Sequence, residues 1–413
     1  MNGAEAVPSG IVRGTPAFRR ASLALFLAGF STFSLLYCVQ PLLPLFVEEF
    51  LVTPAQSALP LSLATALLAF AILCAAVVSE GLGRRGLMFV SITLAATMTV
   101  AAAAAPDWAM LLWLRAATGF VLGGVPAVAM TWLAEELDSR SAAFTMGLYV
   151  GGTAFGGMAG RVGAGIMAQY LGWRWSMGVT GCIGLVAAVG FIALLPASRH
   201  FTRRRQFDPI YHLRAWRDHL SGGGLPLIFA IAFLTMGAFI TLFNYAGFRL
   251  RAAPYGLDQT EIGLIFLAYL FGIASSGFAG SLSEKFGRRL VLPGGLIVMA
   301  CGIGLTMASS LPLIILGIVI IVMGFFFTHS VASAGVGLLA KHARGHASSL
   351  YHLAYYGGSS LAGWMGGWFW AWQGWSAVAG FTLLMLVLAL AAALQLNRIT
   401  RREIQGDGAH PVA

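Results

Sequence analysis

Apolar residues run in long blocks from residue 21 to residue 396, separated by short polar turns. Several blocks exceed the roughly 20 residues that an α-helix needs to span a bilayer. They predict helices over 21–47, 58–79, 87–105, 109–134, 142–167 and 174–196, then over 225–248, 260–282, 290–309, 312–339, 347–370 and 376–396. A membrane β-barrel would show short alternating segments instead. The pattern therefore predicts an all-α integral membrane protein, with twelve transmembrane helices in two pseudo-symmetric six-helix bundles. The bundles are 21–196 and 225–396, with polar tails at 1–20 and 397–413 and one long loop at 197–224. The run from Ala21 to Phe46 is too long for the apolar core of a cleaved signal peptide.

The loop holds one further pattern. Ile210, Leu213, Trp216 and Leu220 share a helical face, with His212, Arg214, Arg217 and Asp218 elsewhere. This reads as a short amphipathic helix at the inner membrane surface. It reads equally as a solvated linker between two bundles.

Composition agrees with the spans. The chain is 58% hydrophobic and only 10% charged, against about 25% charged in soluble domains. A net charge of +10 would suit nucleic acid, but its placement explains it otherwise. With the N-terminus in the cytoplasm, 20 of the 25 Lys and Arg fall on the cytoplasmic side. Arg174, Arg249 and Arg251 face outside, and Arg115 and Arg161 fall within helices. That asymmetry is the usual mark of membrane topology, with both termini cytoplasmic, and no nucleic-acid partner is needed. Cys38, Cys74, Cys182 and Cys301 all lie in apolar runs and read as small apolar residues, not as disulfides or metal ligands.

The chain writes one loop twice. Ser79-Glu80-Gly81-Leu82-Gly83-Arg84-Arg85 returns as Ser283-Glu284-Lys285-Phe286-Gly287-Arg288-Arg289, 204 residues later. The repeat extends further: Gln40 aligns with Asn244 and Gln56 with Thr260 at offset 204. Leu148-Tyr149 aligns with Leu350-Tyr351, and Gly172-Trp173 with Gly374-Trp375, at offset 202. Six helices return the chain to its starting side, so the halves run parallel, as in transporters whose repeats enclose a cavity.

These residues resemble the major facilitator superfamily over nearly the whole chain. Its loop signature, Gly-x-x-x-Asp-Arg-x-Gly-Arg-Arg/Lys, is matched by Ala76 to Arg85 and by Gly280 to Arg289, with Glu for Asp in both and Ala76 for Gly in the first. Arg115-Ala116-Ala117-Thr118-Gly119 with Gly123-Gly124 resembles the family's fourth-helix motif. Gly152-Thr153-Ala154-Phe155-Gly156-Gly157 is similar to the fifth-helix antiporter motif without its Pro. The whole looks like the twelve-helix drug and metabolite:proton antiporter branch, near sugar-efflux-like bacterial permeases. The resemblance implies a monomeric secondary transporter in a bacterial inner membrane, exporting a small molecule in exchange for protons. It also implies gating roles for Glu80, Gly83, Arg84 and Arg85, and for Glu284, Gly287, Arg288 and Arg289.

Candidate chemistry is sparse. A mid-membrane Arg faces a cavity or a partner because its charge is costly there, so Arg115 and Arg161 are candidates; their structural alternative is bonding to helix carbonyls. No Asp or Glu lies deep in a helix, which makes His329 the best buried proton carrier, with His352 behind it. Tyr37, Gln40, Asn244, Tyr149, Tyr355 and Tyr356 suit a cavity for a partly apolar solute, or ordinary interhelical bonding. Glu135 and Glu136 read as a solvated helix end. There is no nucleotide loop, metal cluster or soluble signalling domain, so no enzyme and no cofactor are expected. A second reading keeps the two arginines and drops the proton: an importer or facilitator of an anionic metabolite.

Overall fold

The computed structural model describes residues 10–198 and 209–407, and among them there is no β-strand, only an isolated bridge between Ile11 and Leu137. The helices follow in chain order. They are α1 Pro16–Tyr37, α2 Leu59–Leu82, α3 Arg84–Ala103 and α4 Trp108–Leu122, which continues after a break as Pro126–Glu136. The stretch Ser139–Leu194 is bent at Gly172 into α5 and α6. Then come α7 Leu225–Arg251, α8 Gln259–Phe286, α9 Arg288–Leu305 and α10 Leu311–Leu339. Arg344–Asp407 is bent at Gln373 and Gly374 into α11 and α12. Between α6 and α7 lies a linker helix, Pro209–Ser221. These are the twelve membrane helices of the expected fold.

The breaks have local causes. After α1 the chain makes a 3₁₀ turn, Gln40–Leu42, before a second helical piece, Leu43–Phe50. Pro41 has no N–H to continue the α1 ladder. α4 stops at Leu122, before Gly123-Gly124, and Pro126 has no N–H to continue its ladder. Gly172 and Gly374 take φ +81° and +59°, so each Gly-Trp pair of the repeat marks a reversal. The doubled loop is built alike: Gly83 and Gly287 take φ +84° and +77° at the start of α3 and α9.

That geometry gives a clean test. A Cβ on Gly287 would meet nothing within 4 Å, so Gly287→Ala costs only backbone strain, about 1–2 kcal/mol. Gly280, inside α8, is equally open but helical. Gly280→Ala should be neutral or stabilising by up to about 1 kcal/mol. Gly287→Ala should therefore lower the unfolding midpoint while Gly280→Ala does not, and an equal fall in both would remove the left-handed turn as the reason for Gly287.

The chain forms two compact units. One comprises 1–39 and 70–207, the other 40–69 and 208–413, so the segment 40–69 of the first sequence half packs with the second unit. In the first, Leu25, Met88, Ile92, Val128, Trp132 and Phe191 form a buried core. Gly152, Gly156 and Gly160 of α5 lie against Phe26, Phe30 and Ser34 of α1, where a Cβ would strike the backbone. In the second unit Gly358 of α11 lies against Phe233 of α7 in the same way. Such small residues let helices approach where lipid removes the hydrophobic drive between them.

Two expectations change. The counterpart of Gln56 is Glu261, because Thr53 with Gln56 and Asp258 with Glu261 form matching capping boxes, so Thr260 is one residue out of register. In the linker helix, Trp216 turns inward and donates to Ser349 Oγ at 3.2 Å, while Ile210, Leu213 and Leu220 stay exposed. The buried face carries Ala215 and His219 instead, because rings and imidazoles on that side find partners at the start of α11.

Candidate functional site

In the first unit the two arginines buried within the helix spans, Arg115 and Arg161, gather at the end of α1. Arg115 lies on α4 and is 0% exposed. Its Nη1 and Nη2 donate to the carbonyls of Leu35 and Leu36 at 2.9 and 2.6 Å. These are among the last carbonyls of α1, left without amide partners where the helix breaks. A cation there also meets the negative end of the helix dipole. Arg115 thus acts as a side-chain cap, while its buried Nε has no partner. Arg161 on α5 lays its guanidinium 3.9 Å from the centre of the Tyr37 ring and donates to Gly157 O at 2.7 Å. Cys38 sits within electrostatic reach of both arginines. Tyr149 lies apart, in the apolar core with Trp132 and Phe191, and its buried hydroxyl has no partner.

In the second unit the candidates form two groups. Gln40 Nε2 donates to Asn244 Oδ1 at 2.8 Å, and Asn244 Nδ2 donates to Gly363 O at 3.3 Å. The two residues that the repeat makes equivalent are therefore bonded to each other. Gln259 donates to Pro41 O close by, and Arg251 pairs with Glu48 at 3.0 Å. A small cavity of about 10 Å³ beside Gln40 is walled by Phe243 and Phe266. The Gln40–Asn244 bond should be worth about 1 kcal/mol. A double-mutant cycle with Gln40→Ala and Asn244→Ala, read by unfolding midpoints, should return that coupling, and additive effects would deny it.

The second group surrounds His329 on α10. Its Nδ1 is 2.9 Å from the hydroxyl of Tyr351 on α11. The Tyr355 ring lies 4.9 Å away, and Phe325 lies parallel at 5.9 Å. His329, Tyr351, Tyr355 and Phe325 line a small cavity of about 10 Å³, room for about one water, whose remaining wall is mostly aliphatic. Tyr356 is buried behind Tyr355, edge-on at 5.0 Å. His352 is not in this wall; its Nδ1 donates to Ser348 O, 2.8 Å away.

The gating loops divide. Arg84 is buried and pairs with Glu135 at 2.9 Å, and Arg85 donates to Ile192 O. Glu135 and the buried Glu136 are thus not a solvated helix end: the loop's own arginine draws Glu135 in. Glu284 and Arg288 are exposed and form no ion pair among the described residues, while Arg289 O accepts from Asn397 Nδ2. The side chain of Glu80 lies outside the described residues.

Two site residues escape sequence reasoning. Tyr351 holds His329, and the repeat signals it, since Tyr351 is the counterpart of Tyr149. Phe325 is one apolar residue among many in α10, with no signal at all.

The model of the Major Facilitator Superfamily matches residues 25–252 and 248–409. The inner membrane transport protein YnfM of Escherichia coli (strain K12) is 45% identical over 388 residues, 94% of this chain and 93% of that protein. The MFS-type transporter YybF of Bacillus subtilis (strain 168) is 40% identical, covering 92% and 94%. A bacterial homologue of the human lysosomal transporter Spinster, solved inward-facing and unoccupied, shares the fold with a TM-score of 0.74 at 18% identity, covering 93% and 98%.

Proposed function

The chain belongs to the major facilitator superfamily, and from that premise we propose a secondary active exporter that exchanges a small organic compound for protons by alternating access. Membership makes it a multi-pass membrane transporter of small molecules. Export, proton exchange and cytoplasmic termini are the proposed refinements. The last is supported by the 20 of 25 basic residues on one side.

The observation that carries the reading is the contact of His329 Nδ1 with the Tyr351 hydroxyl, 2.9 Å, in the wall of an aromatic cavity. Imidazole exchanges protons in the physiological range. When His329 is neutral at Nδ1, Tyr351 donates its hydroxyl proton to it. When Nδ1 is protonated, it donates to the Tyr351 oxygen, and the hydroxyl proton turns toward the cavity. Protonation therefore converts an occupied donor into one that a substrate can use. Phe325 and Tyr355 offer ring faces to an apolar body. Within the first unit, Arg115 and Arg161, with Tyr37, would hold a polar or anionic group when the α1 carbonyls release them. Glu80 and Glu284 would pair with arginines and helix ends in the inward-closed state.

The test is flux in proteoliposomes with an imposed pH gradient, using the compound that a thermal-shift screen of the purified protein selects. Uphill movement coupled to counterflow of protons is expected. Flux indifferent to the gradient would reject the exchange and favour the second reading, a facilitator or importer of an anionic metabolite, which the buried Arg115 and Arg161 support.

A further inference from the structure

Four of the chain's eight histidines meet where the linker helix packs on the start of α11, and His329 is not among them. His212 Nδ1 lies 2.8 Å from His346 Nε2, with the rings 5.1 Å apart. Tyr211 stands edge-on to His346 at 5.6 Å, and Trp216 lies 5.8 Å from it. Two turns along the linker helix, His219 stacks on His342 at 5.1 Å and reaches Ala343 O at 3.2 Å. Ala343 is held at φ +43°, an unfavourable backbone state for a residue with a Cβ. His346 N also bonds Ala343 O, at 2.8 Å. The imidazoles therefore fasten the linker helix to α11 and hold a strained turn in place.

We propose that the His212–His346 contact is a pH-operated latch on the side we read as cytoplasmic: two protons open it, the linker helix leaves α11, and transport slows. An N···N contact needs one ring nitrogen with a lone pair. One proton shared by the pair preserves the bond as N⁺–H···N. A second proton leaves two cations face to face, and the contact is lost. Among the described residues the surroundings offer little relief. On the linker helix Arg214 and Arg217 are basic, and Asp218 is turned toward Arg217 at 3.8 Å. The loop before α11 supplies Lys341, His342 and Arg344, and α12 has Arg398 and Arg401 flanking Ile399, which lies under Gly223. The first turns of α7, from Leu225 to Thr235, contain no ionisable side chain. The sign follows from proton counting: the released state binds more protons than the docked one, so docking weakens as pH falls. The consequence reaches the transport site through α11. His346 precedes Tyr351 and Tyr355, the cavity wall around His329, by five and nine residues on one helix. Once Ala343 relaxes, that wall loses its fixed start.

The site coupling rests on the proposed function, but the latch is measured without it. Hydrogen exchange of the full-length purified protein in nanodiscs is followed from pH 7.5 to 5.5, corrected for intrinsic rates. Amides of 210–220 and 340–350 should lose about tenfold or more of their protection, while those of 228–240 keep theirs. His212→Gln with His346→Gln should give a flat profile at any level of protection. Unchanged protection in the wild type, or the same pH-dependent loss in the double variant, would overturn the latch. In proteoliposomes at fixed gradient, lowering the pH on the linker-helix side should slow the wild type several-fold and leave the double variant level. Equal slowing of both would disconnect the latch from transport, whatever His329 does.

Discussion

Arg115→Ala abolishes transport, with flux at least about 100-fold below wild type, while the protein still reaches the membrane. The residue is fully buried and fills two bonds to Leu35 and Leu36 at the end of α1. Removing it strands the Leu36 carbonyl, at about 1–3 kcal/mol, and leaves the Leu35 carbonyl only the weak Cys38 thiol donor. Part of that cost is returned, because a buried charge disappears with it. The net effect on unfolding is therefore moderate, a shift of a few degrees. Transport suffers more, because Tyr37 and Cys38 lose the group that fixes the break in α1. Arg115→Lys separates charge from geometry. A lysine keeps the cation but cannot span two carbonyls with a planar fork. It should recover stability and about a tenth of the flux or less. Full flux from Arg115→Lys would mean that charge alone matters at this position. Full flux from Arg115→Ala would reduce Arg115 to a structural cap.

His329→Gln removes uphill transport and spares downhill exchange. Glutamine still accepts from the Tyr351 hydroxyl through its Oε1, so the cavity wall is preserved, but it cannot take a proton. Uphill flux under a proton gradient should fall to background, whereas counterflow without a gradient should stay within about threefold of wild type. Tyr351→Phe should behave between the two: the imidazole still titrates, but protonation no longer frees a hydroxyl donor, so coupling weakens. Normal uphill transport by His329→Gln would eliminate the proton-carrier role. Glu48, already paired with Arg251, would then be the next residue to replace.

Architecture was legible because lipid leaves so few choices. A chain that buries backbone polar groups in hydrocarbon must form helices of spanning length, so apolar blocks alone fixed their number and approximate ends. Repeated residues fixed the doubled turns: Gly83 and Gly287 share one left-handed φ because only that geometry turns the loop. Three matters were decided by packing. Register near Gln56 depended on capping boxes whose members are four different residue types, Thr, Gln, Asp and Glu, invisible to an identity match. Arg115 and Arg161 were visible as costly charges, but their meeting at one helix end depended on where α1 breaks and which helices flank it. Likewise His329 stood out by its chemistry, while Phe325 and Tyr351 became its partners only when α10 and α11 were set side by side. Periodicity and composition record what each segment must bury. The partner it buries against is a property of the assembled helices, and the chemistry of the site lies in those partners.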